Sequence, residues 1–139
     1  IKLYDNQTSN GSIMPLRALT ALSALLWLTV APAVHAVELI MVEQKGCHYC
    51  IEWKTDLGPV YPKTSEGQYA PLRMVQIKNA PPEDVDFARP VNFTPTFVLV
   101  DNGQELGRIE GYPGEDFFWG LLNMLLEQHT DYSDQPQTN

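Results

Sequence analysis

Residues 37–57 have the sequence VELIMVEQKGCHYCIEWKTDL, in which an apolar run precedes a Gly-Cys-x-x-Cys motif and a segment with interleaved charges. The run from Val37 to Val42 is short and is followed by turn residues, which predicts a buried strand. The segment from Cys47 to Leu57 has a helical pattern, and Gly58-Pro59 follows it as a stop signal. The stretch therefore predicts a strand, a turn and a helix that begins at a cysteine.

The chain contains two cysteines, Cys47 and Cys50, and both lie at the start of this predicted helix. Two thiols at this spacing can close a disulfide, and the free N–H groups and dipole of the helix stabilise a thiolate on the first cysteine. The arrangement indicates a redox-active pair. A static structural disulfide and half of a zinc site are the alternatives, although after the apolar N-terminal segment only His48 and His129 offer imidazole ligands. Haem attachment is excluded because Ile51, not histidine, follows the second cysteine.

The middle of the chain predicts one further strand between two less regular segments. Residues from Tyr61 to Pro71 are bounded by prolines and are expected to form a loop or an irregular helix. Leu72 to Ile77 is predicted to be a strand that is largely buried on both faces. Pro81-Pro82 is placed where the first turn of a helix tolerates proline, which predicts a short helix through Ala88.

The last third of the chain predicts a hairpin and a closing helix. Thr96 to Val100 is β-branched and aromatic, Asp101-Asn102-Gly103 supplies hairpin turn residues, and Gln104 to Glu110 is the partner strand. Asp116 to Gln128 is expected to form an amphipathic helix that covers the sheet, and the polar tail from His129 is expected to fray. The apolar residues at helical spacing in this segment are Phe117, Leu121, Leu122, Met124 and Leu125.

Composition limits the classes of protein that fit. A chain of 139 residues, 44% of them hydrophobic and 19% charged, suits one globular domain and excludes a multidomain enzyme. The net charge of −8 and the pI near 4.7 disfavour nucleic acid as a partner, which requires a clustered basic surface. Two cysteines are too few for a four-thiolate zinc or iron–sulfur module, and neither a cofactor nor a metal is predicted. The order of elements predicts an α/β fold, a small central mixed sheet flanked by helices.

The N-terminal segment has the features of a secretory signal peptide. Arg17 supplies a positive n-region, Ala18 to Val30 is the apolar h-region, and cleavage is expected after Ala36. An uncleaved signal anchor is an alternative because no charged residue lies between Arg17 and Glu38, and a buried core helix is a third. The predicted segments are an over-extended start at residues 1–13, a signal peptide at 14–36, a folded domain at 37–128 and a polar tail at 129–139. A cleaved signal of this kind predicts a periplasmic protein.

A second motif is the sequence FTPTF at residues 93–97. Proline cannot donate a hydrogen bond to a sheet, so Pro95 is expected at the first position of the strand that begins there. A cis Thr94-Pro95 bond in a tight turn and an ordinary trans bond are both compatible with this placement. The motif therefore predicts a turn that leads directly into a central strand.

Together these motifs resemble the thioredoxin superfamily, and the resemblance covers Val37 to Gln128. In that superfamily the C-x-x-C helix start faces a Thr/Val-cis-Pro turn across the active site. The resemblance implies that Cys47 is the exposed nucleophile and Cys50 the more buried resolving thiol of a thiol–disulfide oxidoreductase. It also implies that Thr94-Pro95 pairs with the backbone of a bound peptide.

The sequence departs from the W-C-G-P-C pattern of thioredoxins, and the first β-α unit of the full fold has no counterpart. His48 replaces a glycine, and it either stabilises the neighbouring thiolate when protonated or is a surface residue. Tyr49 either lines a peptide groove or covers the disulfide, whereas Trp53 is expected in the core. Met41 stands where thioredoxins have a buried aspartate, and Glu43, the one candidate to replace it as proton acceptor, is expected to be solvated.

Three flanking segments resemble a narrower group, the small periplasmic thioredoxins of bacterial sulfur-oxidation (Sox) systems. They are residues 58–64 (GPVYPKT), 70–72 (APL) and 110–119 (EGYPGEDFFW). We expect Gly111 and Tyr112 in the last segment to contribute to substrate binding, with a simple strand-to-helix turn as the alternative.

This resemblance implies a monomer that keeps a cysteine of the Sox sulfur-carrier protein reduced, with electrons from a membrane thiol transporter. A general periplasmic disulfide oxidoreductase and a non-catalytic thioredoxin-fold binding module are the other functions considered. The sequence does not fix the reduction potential, because the potential depends on how strongly the thiolate is stabilised.

Overall fold

The computed structural model describes residues 36–133, so the predicted signal peptide lies outside the described residues except for Ala36. The strands are β1 (Val37–Glu43), β2 (Leu72–Gln76), β3 (Thr96–Asp101) and β4 (Gln104–Glu110). The α-helices are α1 (His48–Asp56), α2 (Ser65–Tyr69) and α3 (Glu115–His129), and short 3-10 helices occupy Tyr61–Lys63 and Ile77–Asn79. Within the described range, no helix has the length and apolar character needed to cross a membrane.

The four strands form one sheet in the order β2-β1-β3-β4, which confirms the predicted mixed α/β architecture. Strand β1 runs parallel to β2 and antiparallel to β3, and β3 continues into β4 as a hairpin. Val42 pairs with Thr96, so the end of β1 lies beside the beginning of β3. The residues that follow β1 and the residues that precede β3 therefore lie next to each other, at the same end of these two central strands.

The central strands β1 and β3 are buried on both faces because their side chains alternate between two apolar clusters. Leu39 and Met41 face the larger cluster, which contains the aromatic side chains of the helices. Ile40 and Val42 face the smaller cluster, together with Val85 from the segment that precedes β3. The fully buried aromatic side chains are Trp53, Tyr61, Phe97 and Phe118.

The predicted hairpin is confirmed, including its turn. Asn102 and Gly103 connect β3 to β4, and both have positive φ angles, 56° and 74°. Two consecutive positive φ angles are what a tight hairpin needs to follow the twist of its strands, and Asn-Gly is the dipeptide that accepts them most readily. The turn sets the pairing of Val100 with Glu105, and beyond it a register shift brings Leu99 opposite Gly107.

The strand predicted from Leu72 to Ile77 forms as β2, but the prediction that it is buried on both faces is wrong. Strand β2 lies at the edge of the sheet and is bonded only to β1, and Met74 is exposed. Ile77 belongs to the following 3-10 helix. The apolar composition of the strand reflects its parallel pairing, and its place in the strand order leaves one side in solvent.

The short helix predicted from Pro81-Pro82 through Ala88 does not form. Instead, Asp86 makes a parallel bridge to Gln104, and its N–H donates to the carbonyl of Gly103 at 2.7 Å. The N–H of Ala88 donates to the carboxylate of Glu105, also at 2.7 Å. The backbone groups that a helix would pair internally are bonded to β4, so tertiary contacts override the local helix signal.

Helix α3 is present as predicted, with Leu122 buried and Leu121 and Leu125 packed against the core, but two of the predicted positions are exposed. Phe118, Leu122 and Leu126 point into the core, whereas Phe117 and Met124 are exposed. Residues four positions apart lie on one helix face, and the ring of Phe118 sets which face packs on the sheet. The sequence pattern predicted the helix and part of its buried face, but not that Phe118 is buried in place of Phe117.

The chain remains folded beyond the predicted end of the helix. His129, where the polar tail was expected to begin, is the last residue of α3. Tyr132 is buried, its ring lies 5.1 Å from that of Tyr69, and its hydroxyl is 3.2 Å from the hydroxyl of Ser65. The end of α3 is therefore fixed against α2 by an aromatic contact.

Candidate functional site

Cys47 is the N-cap residue of α1, as the strand–turn–helix pattern predicts. Strand β1 ends at Glu43, and the turn that follows is closed by the N–H of Cys47, which donates to the carbonyl of Gln44 at 3.2 Å. Gly46 has a φ of +80°, a conformation that side-chain-bearing residues rarely adopt. The glycine therefore allows the chain to reverse between the strand and the first cysteine.

Cys47 and Cys50 are joined by a disulfide, with their Cα atoms 5.3 Å apart. Both cysteines are buried, with Cys47 8% exposed and Cys50 1% exposed, so Cys47 is the less shielded of the two. The backbone N–H of Cys50 lies 3.2 Å from the Cys47 sulfur, as a donor to it. This N–H and the beginning of α1 provide the positive end of a helix dipole, which stabilises a thiolate on Cys47 after reduction.

The disulfide rests on an apolar base. Met41, Trp53 and Phe97 belong to the same buried cluster as both cysteines, and the Trp53 and Phe97 ring centroids are 5.2 Å apart. Trp53 is a core residue, as predicted. The side chain beneath the disulfide at position 41 is a fully buried thioether that cannot accept a proton from a resolving thiol.

Glu43 is largely buried, so the expectation that it is solvated is wrong. Its side chain is 14% exposed and forms an ion pair with Lys54, and its other carboxylate oxygen accepts from the Gln76 amide at 3.1 Å. Lys54 lies one helical turn after Cys50 on α1. Because β1 alternates, Glu43 lies on the same face of the sheet as Met41, toward the helix that carries the cysteines.

The turn at residues 93–95 lies at the same edge of the sheet as the cysteines, because β1 and β3 are paired there. The Thr94–Pro95 bond is cis. The hydroxyl of Thr96 donates to the carbonyl of Phe93 at 2.8 Å, and the N–H of Gly111 donates to the carbonyl of Pro95 at 2.7 Å. Phe93 is 63% exposed, and the sequence analysis did not single it out as a site residue. Its only signal in the sequence was an apolar residue directly before the Thr-Pro pair.

Gly111 and Tyr112 have different surroundings, although they are adjacent in sequence. Gly111 has a φ of +88° and open space where a side chain would project, and it is bonded to Pro95. Tyr112 is buried, and its hydroxyl lies 3.4 Å from a carboxylate oxygen of Asp56 at the end of α1. Burial, with the negative charge of Asp56, raises the pKa of Tyr112 to about 12. The structure thus places Gly111 beside the turn and the Tyr112 hydroxyl at the far end of α1.

His48 and Tyr49, between the cysteines, are exposed to solvent. The ring nitrogen Nε2 of His48 lies 3.7 Å from a carboxylate oxygen of Glu52, one helical turn away. The rings of His48 and Tyr49 meet edge to face, with centroids 5.3 Å apart. Ile51, directly after the second cysteine, is also exposed. The first turn of α1 therefore presents both aromatic rings around the disulfide to an approaching molecule.

A metal site is not evident in the part of the chain that the structure describes. Within residues 36–133, no group of three or more His, Cys, Asp or Glu side chains is arranged to hold a metal ion. The chemistry that the described arrangement supports is thiol–disulfide exchange, since it has a disulfide whose less buried cysteine caps a helix N-terminus.

Comparison with known proteins gives a consistent result. A family model described as a thioredoxin-like domain matches residues 28–125. The periplasmic thioredoxin SoxS from Paracoccus pantotrophus, solved in its reduced form, is 50% identical with a TM-score of 0.65, over 66% of this chain and 97% of that chain. A thioredoxin-fold protein from Helicobacter pylori is 21% identical with a TM-score of 0.52, over 72% of this chain and 75% of that chain, and this likeness concerns the fold alone. No curated protein matches significantly.

The family match, the 50% identical structure and the C-x-x-C disulfide agree with one another. The disulfide lies at the position where the thioredoxin resemblance requires it, in the first turn of α1 shortly after β1. The protein belongs to the thioredoxin-like domain family and has the redox site of a thiol–disulfide oxidoreductase.

Proposed function

We propose that this protein is a periplasmic disulfide reductase whose substrate is the sulfur-carrier protein of a sulfur-oxidation system. The observation that carries the proposal is the Cys47–Cys50 disulfide at the N-terminus of α1, in which Cys47 caps the helix and is less deeply buried than Cys50. The 50% identity to the periplasmic thioredoxin SoxS supports the location and the substrate class. The signal-peptide features before Val37 support export.

The reaction begins with the reduced protein. The Cys47 thiolate attacks one sulfur of the substrate disulfide, and the other substrate sulfur leaves as a thiolate that takes a proton. Cys50 then loses its proton and attacks the Cys47 sulfur of the mixed disulfide. This step forms the Cys47–Cys50 bond and releases the second substrate thiol, so two electrons have passed to the substrate.

The residues around the disulfide supply stabilisation and binding. The Cys50 N–H and the N-terminus of α1 stabilise the Cys47 thiolate, and His48 adds positive charge when it is protonated. We propose that the backbone at Thr94 and Pro95 pairs with the substrate, in the manner of an added strand. Tyr49 and the open space above Gly111 form the neighbouring contact surface. The buried Tyr112 supports the segment that contains Gly111 from the core side.

The reduced form is regenerated when a thiol donor exchanges with the Cys47–Cys50 disulfide and is itself oxidised. The net charge of the chain is −8, which disfavours nucleic acid as a partner. The partners that fit a reactive cysteine pair are proteins with accessible thiols or disulfides. In the periplasm we assign the donor role to a membrane protein that transfers electrons between thiols. The same Cys47 sulfur serves both exchanges, because Cys50 is shielded.

The proposal is tested by trapping the mixed disulfide. Tagged Cys50→Ser protein is purified from cells grown on thiosulfate, and the adducts are identified without reductant. We expect one dominant adduct with the sulfur-carrier protein, and no adduct with Cys47→Ser as the matched control, because that variant lacks the attacking sulfur. A broad set of adducts without the carrier would identify a general periplasmic oxidoreductase and refute the specific substrate.

A second measurement separates an oxidoreductase from a binding module with a permanent disulfide. The wild-type protein is given insulin and a thiol donor, and the turnover of insulin disulfides is followed. An exchanging pair gives catalytic turnover that Cys47→Ser abolishes. A wild-type rate equal to that of Cys47→Ser would show that the disulfide is structural.

A further inference from the structure

A buried charged pair lies on β4, outside the redox site. The side chains of Arg108 and Glu105 are 5% and 6% exposed, and they form two parallel hydrogen bonds of 2.6 Å, from Nε to Oε1 and from Nη2 to Oε2. Burial disfavours the charged carboxylate, yet the bonds from Arg108 and from the N–H of Ala88 hold the pKa of Glu105 below its ordinary value. Both groups are therefore charged in the folded protein.

The same two side chains bind the backbone of the segment that precedes the Thr-Pro turn. Nη2 of Arg108 donates to the carbonyl of Arg89 at 2.8 Å, and Nη1 lies 3.4 Å from the carbonyl of Pro90. Glu105 accepts from the N–H of Ala88 at 2.7 Å. Residues 88–90 belong to no helix or strand, so these side-chain bonds provide the polar partners of their backbone.

Stability alone does not account for a buried ion pair, because apolar side chains of similar volume often stabilise a protein as well or better. An apolar pair on β4 would, however, leave the carbonyl groups at Arg89 and Pro90 without these donors. The planar guanidinium of Arg108 binds a carboxylate and these carbonyls at once, which a lysine ammonium cannot do with the same geometry. The chemistry of Arg108 thus fits a role in fixing this backbone.

The fixed segment leads through Val91 and Asn92 into the turn at residues 93–95. On the other side of the turn, the Pro95 carbonyl is bonded to the N–H of Gly111, which follows the last residue of β4. That last residue, Glu110, forms an ion pair with the side chain of Arg89. Both sides of the turn are therefore attached to β4.

We propose that Arg108 is a positioning residue for substrate recognition: by holding residues 88–90 it sets the orientation of the Phe93–Pro95 turn toward a bound protein. Arg108 does not touch the disulfide, and it acts through the backbone it binds. The inference rests on the proposed function, because it assigns the turn to substrate binding.

The test compares Arg108→Lys with Arg73→Lys. Arg73 makes a similar two-bond contact, 2.8 Å for each bond, with Asp84, but its side chain is more exposed and makes no contact with residues 88–90. For each protein one measures kcat and KM for insulin, the rate with a small aromatic disulfide, and the potential of the Cys47/Cys50 couple. Hydrogen exchange of residues 88–95 is measured in parallel.

We expect Arg108→Lys to raise KM for insulin about fivefold or more, because the turn is no longer held in its binding orientation. The kcat, the small-disulfide rate and the potential are expected to change less than about twofold or not at all, because the cysteines are untouched. Exchange at residues 88–95 is expected to rise in Arg108→Lys only, and Arg73→Lys is expected to match the wild type in every measurement. Glu105→Gln, which weakens the same contact, is expected to raise KM in the same direction.

An unchanged KM in folded Arg108→Lys would overturn the inference while leaving the oxidoreductase function in place. Equal losses toward insulin and the small disulfide would also overturn it, because they would place the effect at the cysteines. A wild-type protein without turnover would overturn the proposed function, and with it this inference.

Discussion

Removal of the Tyr61 hydroxyl is expected to destabilise the protein without disturbing its core packing. Tyr61 is fully buried, and its hydroxyl donates to the carbonyl of Ala70 at 2.8 Å. Its ring stacks on that of Trp119, with centroids 5.9 Å apart. Tyr61→Phe keeps the ring but leaves the buried Ala70 carbonyl without this donor, which costs about 1–3 kcal/mol.

The same substitution is expected to change the dependence of stability on pH. Burial, reinforced by the negative charge of Glu66, raises the pKa of Tyr61 well above its ordinary value of 10.0. In the unfolded chain the phenol ionises near its ordinary pKa. Above pH 10 the unfolded chain therefore loses a proton that the folded protein retains, so the contribution of Tyr61 to the free energy of unfolding is complete below pH 10 and falls as the pH rises toward the folded pKa. Tyr61→Phe lacks this loss, so the difference in stability from the wild type is expected to narrow above pH 10.

Urea unfolding of the disulfide-bonded proteins, followed by circular dichroism at several pH values from 7 to 11, measures both effects. Tyr49→Phe is the matched control, because Tyr49 is exposed and its loss should change the free energy of unfolding by less than about 0.5 kcal/mol. A Tyr61→Phe protein as stable as this control at pH 7 would refute the hydrogen-bond argument. A stability difference that widens above pH 10 would refute the titration argument.

Three further substitutions test other parts of the structure. Phe118→Ala, in the middle of the aromatic cluster, is expected to lower the free energy of unfolding by about 3–5 kcal/mol, measured by urea unfolding. Gly67→Ala would place a Cβ atom 1.8 Å from the Tyr61 carbonyl oxygen, so a melting temperature equal to that of the wild type would contradict the described α2 backbone. Because burial and Asp56 raise the pKa of Tyr112 to about 12, wild-type stability should fall from pH 10 toward pH 12. This fall should be smaller in Tyr112→Phe. If the free energy of unfolding falls equally steeply with pH in both proteins, the raised pKa of Tyr112 is contradicted.

Elements with strong local signals were predictable from the sequence. The β3–β4 hairpin formed as expected because β-branched and aromatic residues flank an Asn-Gly turn, and each feature favours the same structure. The strand–turn–helix at residues 37–57 was predictable for the same reason, since Gly46 and Cys47 mark the turn and the helix start. These elements needed no knowledge of distant residues.

Other features depend on tertiary contacts that no local pattern encodes. The segment at residues 81–88 has helix-start residues, but Asp86 bridges to Gln104 and the segment joins the sheet. The edge position of β2 follows from the order of the strands, which the composition of the strand does not reveal. Phe118 is buried in place of Phe117 because the rotation of α3 is decided by the core it meets.

The residues of the candidate site also fall into two groups, those that the sequence predicts and those that only the fold reveals. Cys47 and Cys50 were recognisable from spacing and position, and the Thr94-Pro95 pair from its place before a strand. Arg108 was not recognisable, because its partners lie in a segment without regular structure and only the fold brings them together. Sequence patterns thus located the reacting atoms but not the side chains that hold the adjoining backbone.

The disulfide and the turn that we propose binds substrate lie side by side at one end of the central strands, but different parts of the fold support them. Met41 and Trp53, in the apolar base of the disulfide, share a buried cluster with both cysteines, and Cys50 is the more deeply buried of the pair, which is the basis for assigning attack to Cys47 in the proposed function. Beside it, the turn before β3 is bonded to the Thr96 hydroxyl and to Gly111, and the segment that precedes it is bonded to Arg108 and Glu110 of β4. Substitutions in the apolar base should therefore alter stability and the exposure of Cys50, whereas Arg108→Lys should alter binding alone. Because Val42 and Thr96 pair between the two regions, the β1–β3 ladder is the element that keeps the reactive sulfur in register with the turn.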